Sequence, residues 1–131
     1  METARAVALI RESSPGLIAV YVFGSTAAGD SRPGSDVDLA ALCDAPMSPE
    51  DRWALQERVA AALGRDVDLV DLRGASTVMR MQVVSTGNVL FDGDPGARER
   101  FEDLVFSSYA RLNEERAAIL RDVAATGRVH G

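Results

Sequence analysis

Two short apolar runs constrain this chain more than any other feature: Leu17 to Phe23, and Asp36 to Cys43 with two acids at its entrance. Runs of this length, rich in aliphatic side chains and bounded by turn formers, read as β-strands. The first is apolar nearly throughout, so both of its faces should be covered, which calls for helices on either side of a sheet. In the second, Val37, Leu39, Ala41 and Cys43 alternate with Asp36, Asp38, Ala40 and Leu42. A polar, glycine-containing connection from Gly24 to Ser35 joins the two.

Helices to cover such a sheet are legible along the chain. Glu2 to Glu12 reads as one, with Ala4, Val7, Ala8 and Ile10 inward, ended by Ser13-Ser14-Pro15-Gly16. Ser48-Pro49-Glu50-Asp51 is a helix start, with Ser as cap, Pro at the first helical position and acids in the first turn. That helix should run to Leu63, stop at Gly64 and carry Trp53, Leu55, Val59, Ala62 and Leu63 as its apolar set. Val67 to Leu72 is a third strand. Ala75 to Ser85 is a helix holding Val78, Met79, Met81, Val83 and Val84. Asn88 to Phe91 is a short strand, and Asp92-Gly93-Asp94-Pro95 turns the chain. A long helix follows from Gly96 to Ala124, with Phe101, Leu104, Val105, Tyr109, Leu112, Ile119, Leu120 and Val123 as its stripe and a mixed Arg/Glu face read as solvated. The alternation predicts an α/β (α+β) fold, a small mixed β-sheet flanked by helices, in one domain over residues 1–131.

Composition decides which chemistry such a domain can carry. All 14 basic residues are Arg, against 20 acids, for a net charge of −6. The absence of Lys excludes Schiff-base chemistry and the phosphate-binding loop that depends on a lysine. The acidic balance argues against direct nucleic-acid binding, which favours a basic surface. Cys43, the single cysteine, excludes an internal disulfide and a Cys-rich zinc site. No apolar run approaches the roughly 20 residues that span a bilayer, and no signal-peptide pattern opens the chain. A cytoplasmic protein without membrane contact is expected.

The junction of the first two strands concentrates the chemistry. Gly24-Ser25 leaves the first strand, ten residues follow, and Asp36-Val37-Asp38 opens the second. Glycine allows a sharp turn and close approach of a ligand. Ser25 places a hydroxyl and the following N–H groups at an expected helix N-terminus, an anion site suited to nucleotide phosphates. Ser35 could orient Asp36 or be a plain turn serine. Asp36 and Asp38, two apart on a strand, project from one face. Two carboxylates about 4 Å apart repel by roughly 4 kcal/mol at an effective dielectric near 20. Such a pair invites a divalent cation, and hard oxygen ligands select Mg²⁺ or Mn²⁺.

A third acid would allow two metals, as in-line phosphoryl or nucleotidyl transfer often requires. Asp66, Asp68 and Asp71 are candidates. If the first two strands are antiparallel and the third runs parallel to the second after a helical crossover, the start of the third strand lies beside Asp36 and Asp38. That demotes Asp71 and favours Asp68, inside the strand, over Asp66 just ahead of it. Asp36, Asp38 and Asp68 are thus the expected catalytic and metal-ligating residues, and Gly24, Ser25 and Ser35 the expected nucleotide contacts.

Phe23-Gly24-Ser25, then Gly29, then Ser35-Asp36-Val37-Asp38-Leu39 resembles the signature of the minimal nucleotidyltransferases of the DNA polymerase beta superfamily, and Val67-Asp68-Leu69-Val70 resembles their third-acid strand. Val89-Leu90-Phe91 before a turn, with Phe101, Tyr109 and Arg116 on a final helix, resembles the compact antitoxin members encoded beside HEPN-domain ribonuclease toxins. The resemblance implies a polymerase-beta-like fold that transfers AMP from ATP to a tyrosine of such a toxin, using Mg²⁺. The sequence departs from many members at Ala28, where a basic residue commonly precedes the glycine; Arg32 could steady the triphosphate instead. Two other readings share these residues: adenylylation of a small molecule, as in aminoglycoside-modifying relatives, and a non-catalytic antitoxin that masks its toxin. Tyr21, Tyr109, Met79, Met81 and Cys43 read as packing residues, and His130 as a terminal residue without a catalytic role.

Overall fold

The structure, a computed structural model, describes residues 2–24 and 36–126. The elements run α1 (Glu2–Ser13), β1 (Leu17–Phe23), β2 (Val37–Cys43), α2 (Pro49–Leu63), β3 (Val67–Asp71), α3 (Thr77–Thr86), β4 (Asn88–Asp92) and α4 (Pro95–Thr126). The four strands form one sheet in the order β3-β2-β1-β4. β1 pairs antiparallel with both β2 and β4, and β2 pairs parallel with β3. The antiparallel and parallel pairings expected for the first three strands are both present.

Each helix pair covers one face. On the first face, Ala6 and Ile10 of α1 and Leu55 and Val59 of α2 pack on Val20, Val22, Leu39 and Leu69. On the second, Val83 of α3 and Phe101 and Val105 of α4 pack on Tyr21, Phe23, Ala40 and Leu42. β1 and β2 are therefore buried on both sides, which is why they read as nearly continuous apolar runs.

The signals for α2 hold in detail. Ser48 Oγ accepts the Asp51 N–H at 3.0 Å, Pro49 opens the helix, and Gly64 closes it at φ 65° while donating to Ala60 O. α3 starts two residues later than expected because Ser76 is its cap, accepting the Met79 N–H at 3.1 Å.

Several apolar positions are not where helical spacing put them. In α1 the buried pair is Ala6 and Ile10, four apart, whereas Ala4 and Ala8 are exposed. Trp53 is 57% exposed, Val78 is 46% exposed, and in α4 Leu104, Ile119 and Leu120 are exposed. For Ile119 and Leu120 the discrepancy is one of length. The 32 residues of α4 extend about 48 Å at 1.5 Å per residue. The seven residues of β1 span only about 23 Å. The proximal half of α4 covers the sheet, and the distal half outruns it.

Candidate active site

The end of β1 and the starts of β2 and β3 meet at one end of the sheet. Phe23 is the register partner of Asp38, and Asp38 is the register partner of Asp68. Gly24 follows immediately, with φ +67°, a left-handed conformation that side chains rarely adopt. A Cβ there would collide with Asp38 Oδ2 and lie 3.1 Å from Asp38 Cγ. Glycine is therefore demanded twice, by backbone conformation and by the carboxylate beside it.

The carboxylates interact. The Asp38 carboxyl is pushed above its ordinary value, first by burial, then by the negative charges of Asp68 and Asp36. Asp36 sits exposed just before β2, and Asp68 is exposed on β3. Asp66 lies one residue before β3 and is tied in through its backbone, where its carbonyl accepts the Val37 N–H at 2.9 Å. Asp68, not Asp66, is thus the acid set across from Asp38. Ser25, Ser35 and Arg32 lie outside the described residues.

The donor set fits a hard divalent cation. It is all carboxylate oxygen, and its mutual repulsion is what a cation would relieve. Among the described residues, no three His, Cys, Asp or Glu side chains are gathered closely enough to hold a metal ion by themselves. An open arrangement suits Mg²⁺, which is commonly held by one or two carboxylates and completed by substrate phosphates and water.

The opposite end of β3 uses the same residue type differently. Asp71 is 8% exposed, and its carboxylate accepts the Met47 N–H at 2.9 Å and the Arg73 N–H at 3.2 Å. It ties the Met47 loop to the turn at Arg73. A cavity of about 430 Å³ near this end, between Ser13–Gly16, Cys43–Met47 and α2, touches none of Asp36, Asp38 and Asp68. A groove of about 500 Å³ along the outer edge of β3 does reach Asp68.

Two polar arrangements escaped sequence reading. Tyr21, buried in β1, donates its hydroxyl to Glu102 Oε2 at 2.7 Å. Burial, followed by that hydrogen bond, holds its phenol well above the usual range. Arg98 donates to Glu102 at 3.0 Å and ion-pairs through Nε with Asp92 at 3.0 Å, a contact too poorly aligned to be a hydrogen bond. This chain joins β1, β4 and α4 and anchors the long helix. The i,i+4 spacing of Arg98 and Glu102 was a visible signal; the partner Tyr21 was not. In the second arrangement, the edge strand β3 is capped by side chains: Leu69 N–H donates to Gln56 Oε1 at 2.9 Å, and Leu69 O accepts from Arg52 at 3.1 Å.

A helix-covered mixed sheet with carboxylates on adjacent strands, beside a glycine turn, defines a nucleotidyltransferase of the polymerase beta type. Residues 7–96 match the family model for polymerase beta nucleotidyltransferases, and the chain belongs to that family. It is 42% identical over 119 residues to a protein adenylyltransferase, MntA, of Shewanella oneidensis, covering 91% of this chain and 85% of that protein. A crystal structure of a toxin–antitoxin with AMP-PNP superposes with a TM-score of 0.85 at 40% identity, covering 95% of this chain and 99% of the other. A structure of tri-AMPylated Shewanella oneidensis HEPN toxin in complex with MNT antitoxin matches at TM-score 0.77 and 38% identity, over 95% and 99% of the two chains.

Proposed function

We propose that this chain is an antitoxin that transfers AMP from ATP to a tyrosine hydroxyl of a HEPN-domain ribonuclease toxin. The observation that carries the chemistry is the placement of Asp38 opposite Asp68, with Asp36 two residues before it and Gly24 turned against it. The protein acceptor is supported by the likeness to a protein adenylyltransferase and to a complex that contains an AMPylated toxin. Among the described residues, no helix is long and apolar enough to cross a membrane. The setting we propose is the cytoplasm, where ATP is abundant.

Asp36 and Asp38, with Asp68 completing the set, are the residues that would hold Mg²⁺ or Mn²⁺. The ion supplies the positive charge that a lysine-free chain lacks for binding a triphosphate and stabilising its transition state. Gly24 gives the phosphates access to the backbone beside the acids, with Ser25 and Ser35 as further contacts. Asp68 faces the acceptor hydroxyl and takes its proton. The hydroxyl oxygen bonds to the α-phosphorus as the bond to the bridging oxygen breaks, and pyrophosphate leaves with that electron pair. Positioning and fixed charge do most of the work, as in other phosphoryl transfers.

Incubation of the chain with ATP, Mg²⁺ and the product of the adjacent gene should add AMP to that partner by intact mass, with loss of its ribonuclease activity. The Asp36→Asn plus Asp38→Asn variant should add none. Inhibition of the partner surviving that double variant, with no mass gain in either sample, would overturn the reading in favour of masking.

A further inference from the structure

We propose that the groove along the outer edge of β3 is the pocket for the acceptor's aromatic ring, walled by Met47, Val70 and Met79, with the hydroxyl meeting Asp68. This rests on the reading that a tyrosine is adenylylated, and it names the surface that selects it.

The groove begins at Asp68 and runs past Val70 to the loop before α3, with Met47 and Pro49 on one wall and Ala75 and Met79 on the other. Its volume of about 500 Å³ admits a side chain and part of the backbone that bears it. The strand edge beneath it is closed. Both outward groups of Leu69 are taken, the N–H by Gln56 and the carbonyl by Arg52. A segment adding as a further strand would have to displace both at Leu69. Entry by a side chain displaces neither.

The polar groups in the groove select that side chain. Asp71 is occupied by the Met47 and Arg73 N–H groups. Arg52 commits its Nη1 to Leu69 O and Gln56 Oε1. Asp68 is exposed and lines the groove. One exposed acceptor at the end of an apolar slot fits a group with an apolar body and one hydroxyl tip, which describes a phenol. Methionines on opposite walls suit an aromatic ring, through favourable sulfur–ring contacts. A polyhydroxylated, cationic small molecule would leave most of its polar groups facing Met47, Pro49, Val70 and Met79 without partners, at a cost for each.

The test uses Ala75→Trp, which fills the groove, and Met79→Glu, which charges its wall, with Met79→Leu as the conservative control. Each is assayed with the toxin partner for the kcat/KM of AMP transfer, and separately for ATP affinity in the presence of Mg²⁺. We expect kcat/KM to fall at least tenfold in the first two, ATP affinity to stay within twofold, and Met79→Leu to retain transfer. Unchanged transfer in both variants, a parallel loss of ATP affinity, or Met79→Leu as poor as Met79→Glu would each overturn the proposal. If Ala75→Trp does not fold, the Glu and Leu variants at position 79 decide alone. Wild-type chain that transfers no AMP removes the proposed function and this inference together, whereas wild-type transfer with indifferent variants removes only the inference.

Discussion

Asp68 and Asp71 stand three residues apart on the same short strand and do opposite things. Asp71 is buried and has its oxygens filled by two backbone N–H groups. Asp68 is exposed and faces a second buried-side acid, whose carboxyl it helps push upward. One end of the sheet satisfies its charge and gains rigidity. The other sets like charges beside one another, a repulsion that a cation would relieve. The residue type says nothing about the role; the number of donors aimed at it does.

This contrast can be broken by substitution. The largest effect should come from Asp38→Asn, which is expected to lower AMP transfer by about a hundredfold or more. Its melting temperature should hold or rise, because like-charge repulsion is removed. A variant that lost transfer only by unfolding would erase the contrast. Asp71→Ala should do the reverse. It strands two N–H groups and is expected to cost about 2 kcal/mol of stability, seen as a lower urea midpoint, while the ATP affinity of the remaining folded protein is kept. A selective loss of ATP binding at unchanged stability would mean that the two ends are not separate.

Tyr21→Phe sharpens the comparison further from the acids. Removing the hydroxyl leaves Glu102 with Arg98 alone, and a loss of about 1 kcal/mol in denaturant unfolding is expected. The smallest effect should be Ile119→Ser. That side chain is 63% exposed, so the isolated chain should lose no more than about 0.5 kcal/mol, whereas Val105→Ala on the buried part of the same helix should cost clearly more. Equal losses at the two positions would show the distal half of α4 to be packed after all.

What could be read from the sequence follows from where the deciding forces act. α2 was legible at both ends because Ser48, Pro49 and Gly64 act locally, each through its own backbone geometry. The strands β1 and β2 were legible because burial on both faces leaves little room for polar residues. The placement of Asp68 was legible through topology: one antiparallel and one parallel pairing put Asp68, and not Asp71, across from Asp38. The exposure of Ile119 and Leu120 was not, since helical spacing shows which residues share a face but not how far the covered sheet extends. The Tyr21–Glu102 bond was also hidden, because its partners are 81 residues apart and only the packing of α4 on the sheet brings them together.

Gly24 and Asp38 are joined by more than sequence pattern. The carboxylate of one stands in the volume that any side chain on the other would need. The two halves of the motif, separated along the chain, are therefore a single steric object, and their substitutions should not be additive. Gly24→Ala should cost less when Asp38 is already alanine, because the collision is gone and only the left-handed backbone strain, about 1 kcal/mol, is left. A turn and an acid that look like separate parts of a signature are thus one interlocked piece, which neither residue can leave without releasing the other.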